Sequence, residues 1–251
     1  QDTALDSFNA LDTEFHVEIA ITARNPFIGD LTSAIREALR APIRNASMAI
    51  DDWQALRDNL FRQNCTLMWD DESGEAVFTD AGGNVPRLME EAEKRNLKVK
   101  AVWLTHGHLD HISGVSEITA LNPKIQVFGP HEADRFLLAD LTSITKQYNF
   151  PPAKPFIPTH WLSDGDTLKV GKYAFKVLHV PGHTPGHVVF YCAEAELLIA
   201  GDVIFYESIG RTDFERSNHE DLIRSIREKI FTLADDTQII TGHGRMTTVG
   251  H

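Results

Sequence analysis

The sequence predicts an α/β fold in which two β-sheets are sandwiched between helices, preceded by an N-terminal helical extension. Three observations predict it. From about Thr66 short apolar strands alternate with segments of helical period. After a Pro-rich crossing, PPAKPFIP, the strands become hairpin-like while helices persist. Before both, from Leu5 to about Ala46, only helical spacing is found.

In that first region Leu5, Phe8, Leu11, Phe15 and Ile19 recur at helical spacing, as do Leu31, Ile35, Ala38 and Leu39, with Asn25-Pro26 and Gly29 between the runs. It reads as a helical hairpin without a strand, so the chain divides into an extension, residues 1–50, and a domain, residues 51–251. The domain reads as strand EAVFTD, helix VPRLMEEAEKRNL, strand VKAVWLT, a loop, a helix near Val115 to Leu121, and strand IQVFG. A helical stretch from His131 to about Tyr148 leads to the crossing. Strands TLKVG, YAFKVLHV, HVVFYCA and ELLIAGD come next. A last helix is expected from Ser217, whose hydroxyl forms a capping box with Glu220, and should bury Leu222, Ile226, Ile230 and Leu233. Strand TQIIT then delivers Gly242, His243 and Gly244.

Composition excludes several classes. With 42% hydrophobic and 24% charged residues over 251 positions, the chain has the makings of a globular core. Its formal charge of -12, 36 acidic against 24 basic residues, repels phosphate backbones and argues against a nucleic-acid enzyme. No apolar run approaches the roughly 20 residues that span a bilayer, so no membrane partner is expected. Cys65 and Cys192, far apart in sequence, read as buried reduced thiols rather than a disulfide or a thiolate cluster. The opening QDTALDSFNALD is acidic and lacks the regions of a signal peptide, which sets the expectation of a cytoplasmic protein.

The chemistry concentrates in THGHLDH, directly after an apolar strand. His106, His108, Asp110 and His111 place imidazole and carboxylate in one turn, a donor set that Zn, Fe and Mn accept. Four donors so close strain to reach one ion and divide better between two. His183, Asp202 and His243 each follow an apolar strand next to glycine, where backbone approaches closely. Of the remaining histidines, His187 fits a supporting role, while His16, His131, His160, His179, His219 and His251 lack ligand context.

THGHLDH, PGHTPGH, AGDVIF, GRTDF and TGHG, in this order, resemble the metallo-β-lactamase superfamily and in particular its small glyoxalase II-like hydrolases, from about Phe61 to the end. The resemblance implies an αββα sandwich. It also implies His106, His108 and His183 on one divalent metal, Asp110, His111 and His243 on a second, Asp202 bridging, and Asp80 supporting from behind. Zinc is expected, with iron or manganese as alternatives. A water shared by two cations ionises near neutrality, and the thiolate of a thioester, with a pKa near about 8.5, departs without a strong acid. The implied reaction is hydrolysis of a small thioester such as S-lactoylglutathione, with Asp110 and Asp202 as catalytic carboxylates.

Arg211 and Asp213, in GRTDF, border the expected pocket: Arg211 either binds a substrate carboxylate or closes an internal ion pair with Asp213. Phe205 and Tyr206 are candidates for the pocket wall, with core packing the alternative. Three rivals remain open: a mononuclear iron persulfide dioxygenase, which shares GRTDF but typically has Asp-Tyr where this chain has Gly244-Arg245; a lactonase; and a non-catalytic metal- or metabolite-sensing fusion. Residues 5–46 resemble part of the FadR-type ligand-binding domain of GntR-family regulators, whose metal-binding Asp and His would be Asp12 and His16; the later histidines of that site are absent. DDWQALRDNL stands where the hydrolases begin with an edge strand, and the chain stops at His251, before the C-terminal helical domain that holds glutathione in classical glyoxalase II. The oligomeric state is left open.

Overall fold

The computed structural model describes residues 46–49 and 63–251, all within one compact unit, Ala46–His251. The helical runs expected over residues 5–45, Asp12 and His16 among them, lie outside the described residues, as does DDWQALRDNL.

One sheet holds five strands in the order β1-β2-β3-β4-β5: β1 (Ala46–Ala49), β2 (Asn64–Trp69), β3 (Glu75–Thr79), β4 (Lys98–Trp103) and β5 (Gln126–Phe128). The other has the order β13-β12-β9-β8-β7-β6, formed by β6 (Thr167–Val170), β7 (Tyr173–His179), β8 (Val188–Cys192), β9 (Leu197–Gly201), β12 (Gln238–Thr241) and β13 (Thr247–Thr248). A short hairpin of β10 (Ile204–Phe205) and β11 (Ser208–Ile209) stands apart.

Strand alternation places the layers. Trp103, Ala101, Val77 and Met68 from the first sheet pack against Phe175, Val177, Phe190 and Ile199 of the second, the Trp103 ring meeting Phe175 and Phe190 at 5.3 Å each. The opposite face of the first sheet, with Val102 and Leu104, is covered by α1 (Val85–Lys94), α2 (Leu109–Ile112), α3 (Val115–Leu121) and α5 (Leu141–Gln147). On the far side of the second sheet, Val189, Leu198 and Ile239 meet Leu222, Ile226 and Ile230 from α6 (His219–Ser225) and the π-helical turn Ile226–Ile230. Two sheets lie between two helical layers, the predicted sandwich. Each such side chain withdrawn from water contributes about 1.5–3 kcal/mol.

Three expectations are corrected. The first sheet does begin with an edge strand, supplied not by DDWQALRDNL but by Ala46–Ala49, inside the span expected to be helical; it pairs antiparallel with β2, Ser47 opposite Thr66. Four residues are too few to show a period, and the unpaired backbone edge of β2 recruits them. The cap of α6 is Asn218, whose side chain accepts from the Asp221 N–H at 3.0 Å, whereas the Ser217 hydroxyl donates to the His183 carbonyl at 2.7 Å. The stretch from His131 is also broken, into a 3-10 turn Glu132–Asp134, α4 (Arg135–Ala139) and α5.

Direction decides where the site falls. β3 and β4 run parallel; β7 and β9 are both antiparallel to β8, and β12 is parallel to β9. The C-terminal ends of all five open on one edge. Among the described residues no helix is long and apolar enough to cross a membrane.

Candidate metal centre

Each candidate ligand follows one of those strand ends. β4 runs into His106, and the loop turns into α2 with His108 at its N-cap and Asp110 and His111 in its first turns. His183 follows β7, Asp202 follows β9 and His243 follows β12. All seven converge. His106 and His111 are fully buried, and His183, Asp110 and Asp202 nearly so.

Hydrogen bonds settle which ring nitrogen faces inward. Thr105 donates its hydroxyl to Asp80 Oδ2 at 2.7 Å, so its oxygen is left to accept from His106 Nδ1 at 2.9 Å. His111 Nδ1 donates to Asp80 Oδ2 at 3.0 Å, and His183 Nδ1 donates to the Arg211 carbonyl at 2.8 Å. The Nε2 atoms of these three rings therefore point into the site. Asp80, held to the backbone of Thr105 at 2.8 Å as well, is the carboxylate behind the histidines that the resemblance implied.

Two clusters result. His108 Nδ1 lies 3.1 Å from His106 Nε2 and 2.9 Å from His183 Nε2. Asp110 Oδ2 lies 3.3 Å from His243 Nε2 and 3.8 Å from His111 Nε2. Asp202 stands between them: Oδ1 is 3.4 Å from His111 Nε2, and Oδ2 is 3.5 Å from His183 Nε2 and 3.3 Å from His243 Nε2. Donors about 2.0–2.1 Å from one tetrahedral cation are about 3.4 Å apart, so these separations suit divalent metals. Asp202 Oδ1 is also buried without a hydrogen-bond partner, as a ligand oxygen would be. Its approach depends on Gly242, where a Cβ would fall 2.0 Å from that oxygen.

The clusters differ in charge. Burial first, then the neighbouring His183, pulls His108 down to about 3; burial likewise lowers His106 and His183. Burial opposes protonation of His111 too, but Asp202, Asp110 and Asp80 raise it well above the usual histidine range. His243 is desolvated as well, yet hydrogen bonds with Asp110 and Asp202 lift it to about 9. Burial resists ionisation of Asp202, and the charge of His111 holds it ionised far below the carboxylate range.

His187 is fully buried, stacks on His106 at 4.6 Å and accepts from the Asp202 N–H at 3.1 Å, supporting a ligand on either side. Arg211 points outward and closes a two-point ion pair with Asp213 at 2.7 and 2.9 Å, which is the internal pairing considered above. Phe205 packs near His243 at 6.1 Å, while the Tyr206 ring lies under the Arg245 guanidinium and beside His251. Sequence reasoning missed Phe214, whose ring meets His108 at 4.7 Å and His183 at 5.6 Å; its place in GRTDF was the available signal. Thr105, the first residue of THGHLDH, was missed too.

A model of the metallo-beta-lactamase superfamily matches residues 58–243. Hydroxyacylglutathione hydrolase GloC of Haemophilus influenzae is 42% identical over 191 residues, covering 76% of this chain and 89% of its own. Among solved structures, the B3 metallo-beta-lactamase BLEG-1 is similar with a TM-score of 0.69 at 34% identity, covering 75% of this chain and 90% of that one. TTHA1623, in a di-iron-bound form, is similar with a TM-score of 0.68 at 30% identity, covering 75% and 91%.

Proposed function

The chain belongs to the metallo-beta-lactamase superfamily, and from that premise we propose that it is a dinuclear metal-dependent hydrolase of small thioesters, of the S-lactoylglutathione type. One observation carries the two-cation reading: the Asp202 carboxylate stands between the clusters, one oxygen 3.4 Å from His111 Nε2 and the other 3.5 and 3.3 Å from His183 and His243, so two cations would share it. His106, His108 and His183 would hold one cation; Asp110, His111 and His243 would hold the other. Zinc suits this nitrogen and oxygen donor set, with iron or manganese accepted by the same atoms. When bound, such cations lower the pKa of water and polarise a carbonyl.

The protein's residues supply the rest. Asp110 and Asp202 are ionised, so they accept hydrogen bonds from an attacking water and orient it. Thr105, Asp80 and the Arg211 carbonyl keep three imidazoles in the receptive tautomer. Phe214 on one side and Phe205 on the other present apolar edges to the substrate. Arg211 and Tyr206 border it further out. The departing thiolate needs no strong acid. The protein is read as cytoplasmic, and the hydrolase domain begins at the edge strand Ala46–Ala49 rather than at residue 51.

Metal analysis combined with thioester hydrolysis tests the reading. Two metals per chain and hydrolysis that disappears in Asp202→Ala and His183→Ala are expected. Oxygen consumption with glutathione persulfide and a single iron would replace it with the dioxygenase, and preferred opening of lactones would replace the substrate class.

A further inference from the structure

Asp134 lies 23 residues beyond THGHLDH, counting from His111, on the 3-10 turn Glu132–Asp134, and is fully buried. A buried carboxylate calls for a partner, and no cation faces this one among the described residues. It accepts three hydrogen bonds instead. Oδ2 takes the Gly107 N–H at 2.9 Å and the Thr184 hydroxyl at 2.8 Å; Oδ1 takes the Gly186 N–H at 2.6 Å.

The donors belong to both loops of the three-histidine cluster. Gly107 sits between His106 and His108, Thr184 follows His183, and Gly186 precedes His187. The fit is close: a Cβ on Gly186 would lie 2.6 Å from Asp134 Oδ1, and one on Gly107 would lie 2.9 Å from Leu137 and Leu138 of α4. The adjoining His131 N–H donates to the Gly186 carbonyl at 3.0 Å. Without Asp134, the two loops would have three buried donors to satisfy.

We infer that Asp134 is a positioning residue of the metal centre, a carboxylate brace that clamps the His106–His108 loop to the His183 loop so that their three ring nitrogens meet at one point. The inference rests on reading those histidines as ligands of one cation. A carboxylate does what a neutral isostere cannot. An asparagine has one acceptor oxygen, so whichever way its amide is turned, an N–H₂ group faces at least one of the donors. Burial keeps the carboxyl raised, to about 6, and the donors from Thr184, Gly107 and Gly186 oppose that rise.

The test is a titration with zinc against a competing chelator, together with cobalt(II) absorption spectra and thermal melts of the metal-free proteins. It compares the full chain with Asp134→Asn and Thr184→Val. Zinc affinity at the tighter site should fall about 10–100-fold in Asp134→Asn, as for loss of other groups that orient ligands. The cobalt bands should shift, since the ligand geometry changes. Thr184→Val, keeping two of the three hydrogen bonds, should lose less but still measurably. Unchanged zinc affinity in Asp134→Asn, even with a lower melting temperature, would overturn the brace and leave a merely structural carboxylate. If Asp134→Asn does not fold, unchanged affinity in Thr184→Val overturns it instead. The zinc stoichiometry of the unaltered chain comes from the same titration, so failure of the two-cation reading is seen separately.

Discussion

The two halves of the candidate metal centre are made of different materials. His106, His108 and His183 form a cluster of imidazoles whose protonation is suppressed chiefly by burial, so it favours the neutral form that a cation accepts. Asp110, His111 and His243 mix carboxylate with imidazole, and the acids lift both histidines, so in the absence of a cation protons occupy its place. The difference teaches that preorganisation takes two forms here. The first half is ready at neutral pH, and the second must exchange protons for charge.

Removing the group shared by both halves should have the largest effect. Asp202→Ala is expected to lower thioester hydrolysis by about 10³-fold or more, equivalent to about 4 kcal/mol of transition-state stabilisation, and to reduce bound metal. Steady-state rates with metal analysis check it; full metal content and full activity would remove the bridge. Next, Asp80→Asn should weaken the carboxylate-rich half about 10–100-fold by releasing His111 Nδ1. Stepwise zinc titration should show the weaker step affected more than the tighter one, the reverse of the pattern expected for Asp134→Asn.

Protons offer a third comparison. At pH 7.5, calorimetry in buffers of different ionisation enthalpy should show few protons released as the three-histidine half fills and on the order of two as the other fills. The corresponding stability effect has a defined sign. His243 is raised in the folded protein, so its charge stabilises the metal-free state below the unfolded value of 6.5, and that contribution is lost as pH rises through about 9. Urea unfolding of metal-free protein should therefore weaken across that window; a flat profile would break the contrast. The smallest effect is expected from Arg211→Ala. Its pair with Asp213 is exposed, and exposed pairs contribute about 0–1 kcal/mol, so a change in kcat/KM within about fivefold is expected. A large rise in KM confined to carboxylate-bearing substrates would instead assign Arg211 to substrate binding.

How much was legible follows from how local each signal is. THGHLDH, His183, Asp202 and His243 were readable because each donor lies next to its own strand end, and strand ends are marked by apolar runs and glycine. Asp80, in TDAGG after EAVFT, was reached only through the family resemblance, because a lone acid after a strand carries no ligand spacing of its own. Asp134 was not readable: its segment, HEAD, has no ligand spacing, and its partners lie 27, 50 and 52 residues away. Ser217 and Asn218 are both good caps by composition, so only the position of the Asp221 N–H chose between them.

By itself, then, the sequence determined the layered α/β class and marked the candidate donors, because hydrophobic period and residue type act over a few neighbours. The tertiary structure alone decided that five strand ends face one edge, which nitrogen of each imidazole is offered, and that Asp202 stands between two clusters. Those outcomes depend on strand direction and on hydrogen bonds between segments remote in the chain, and both are settled only when the sheets close over one another.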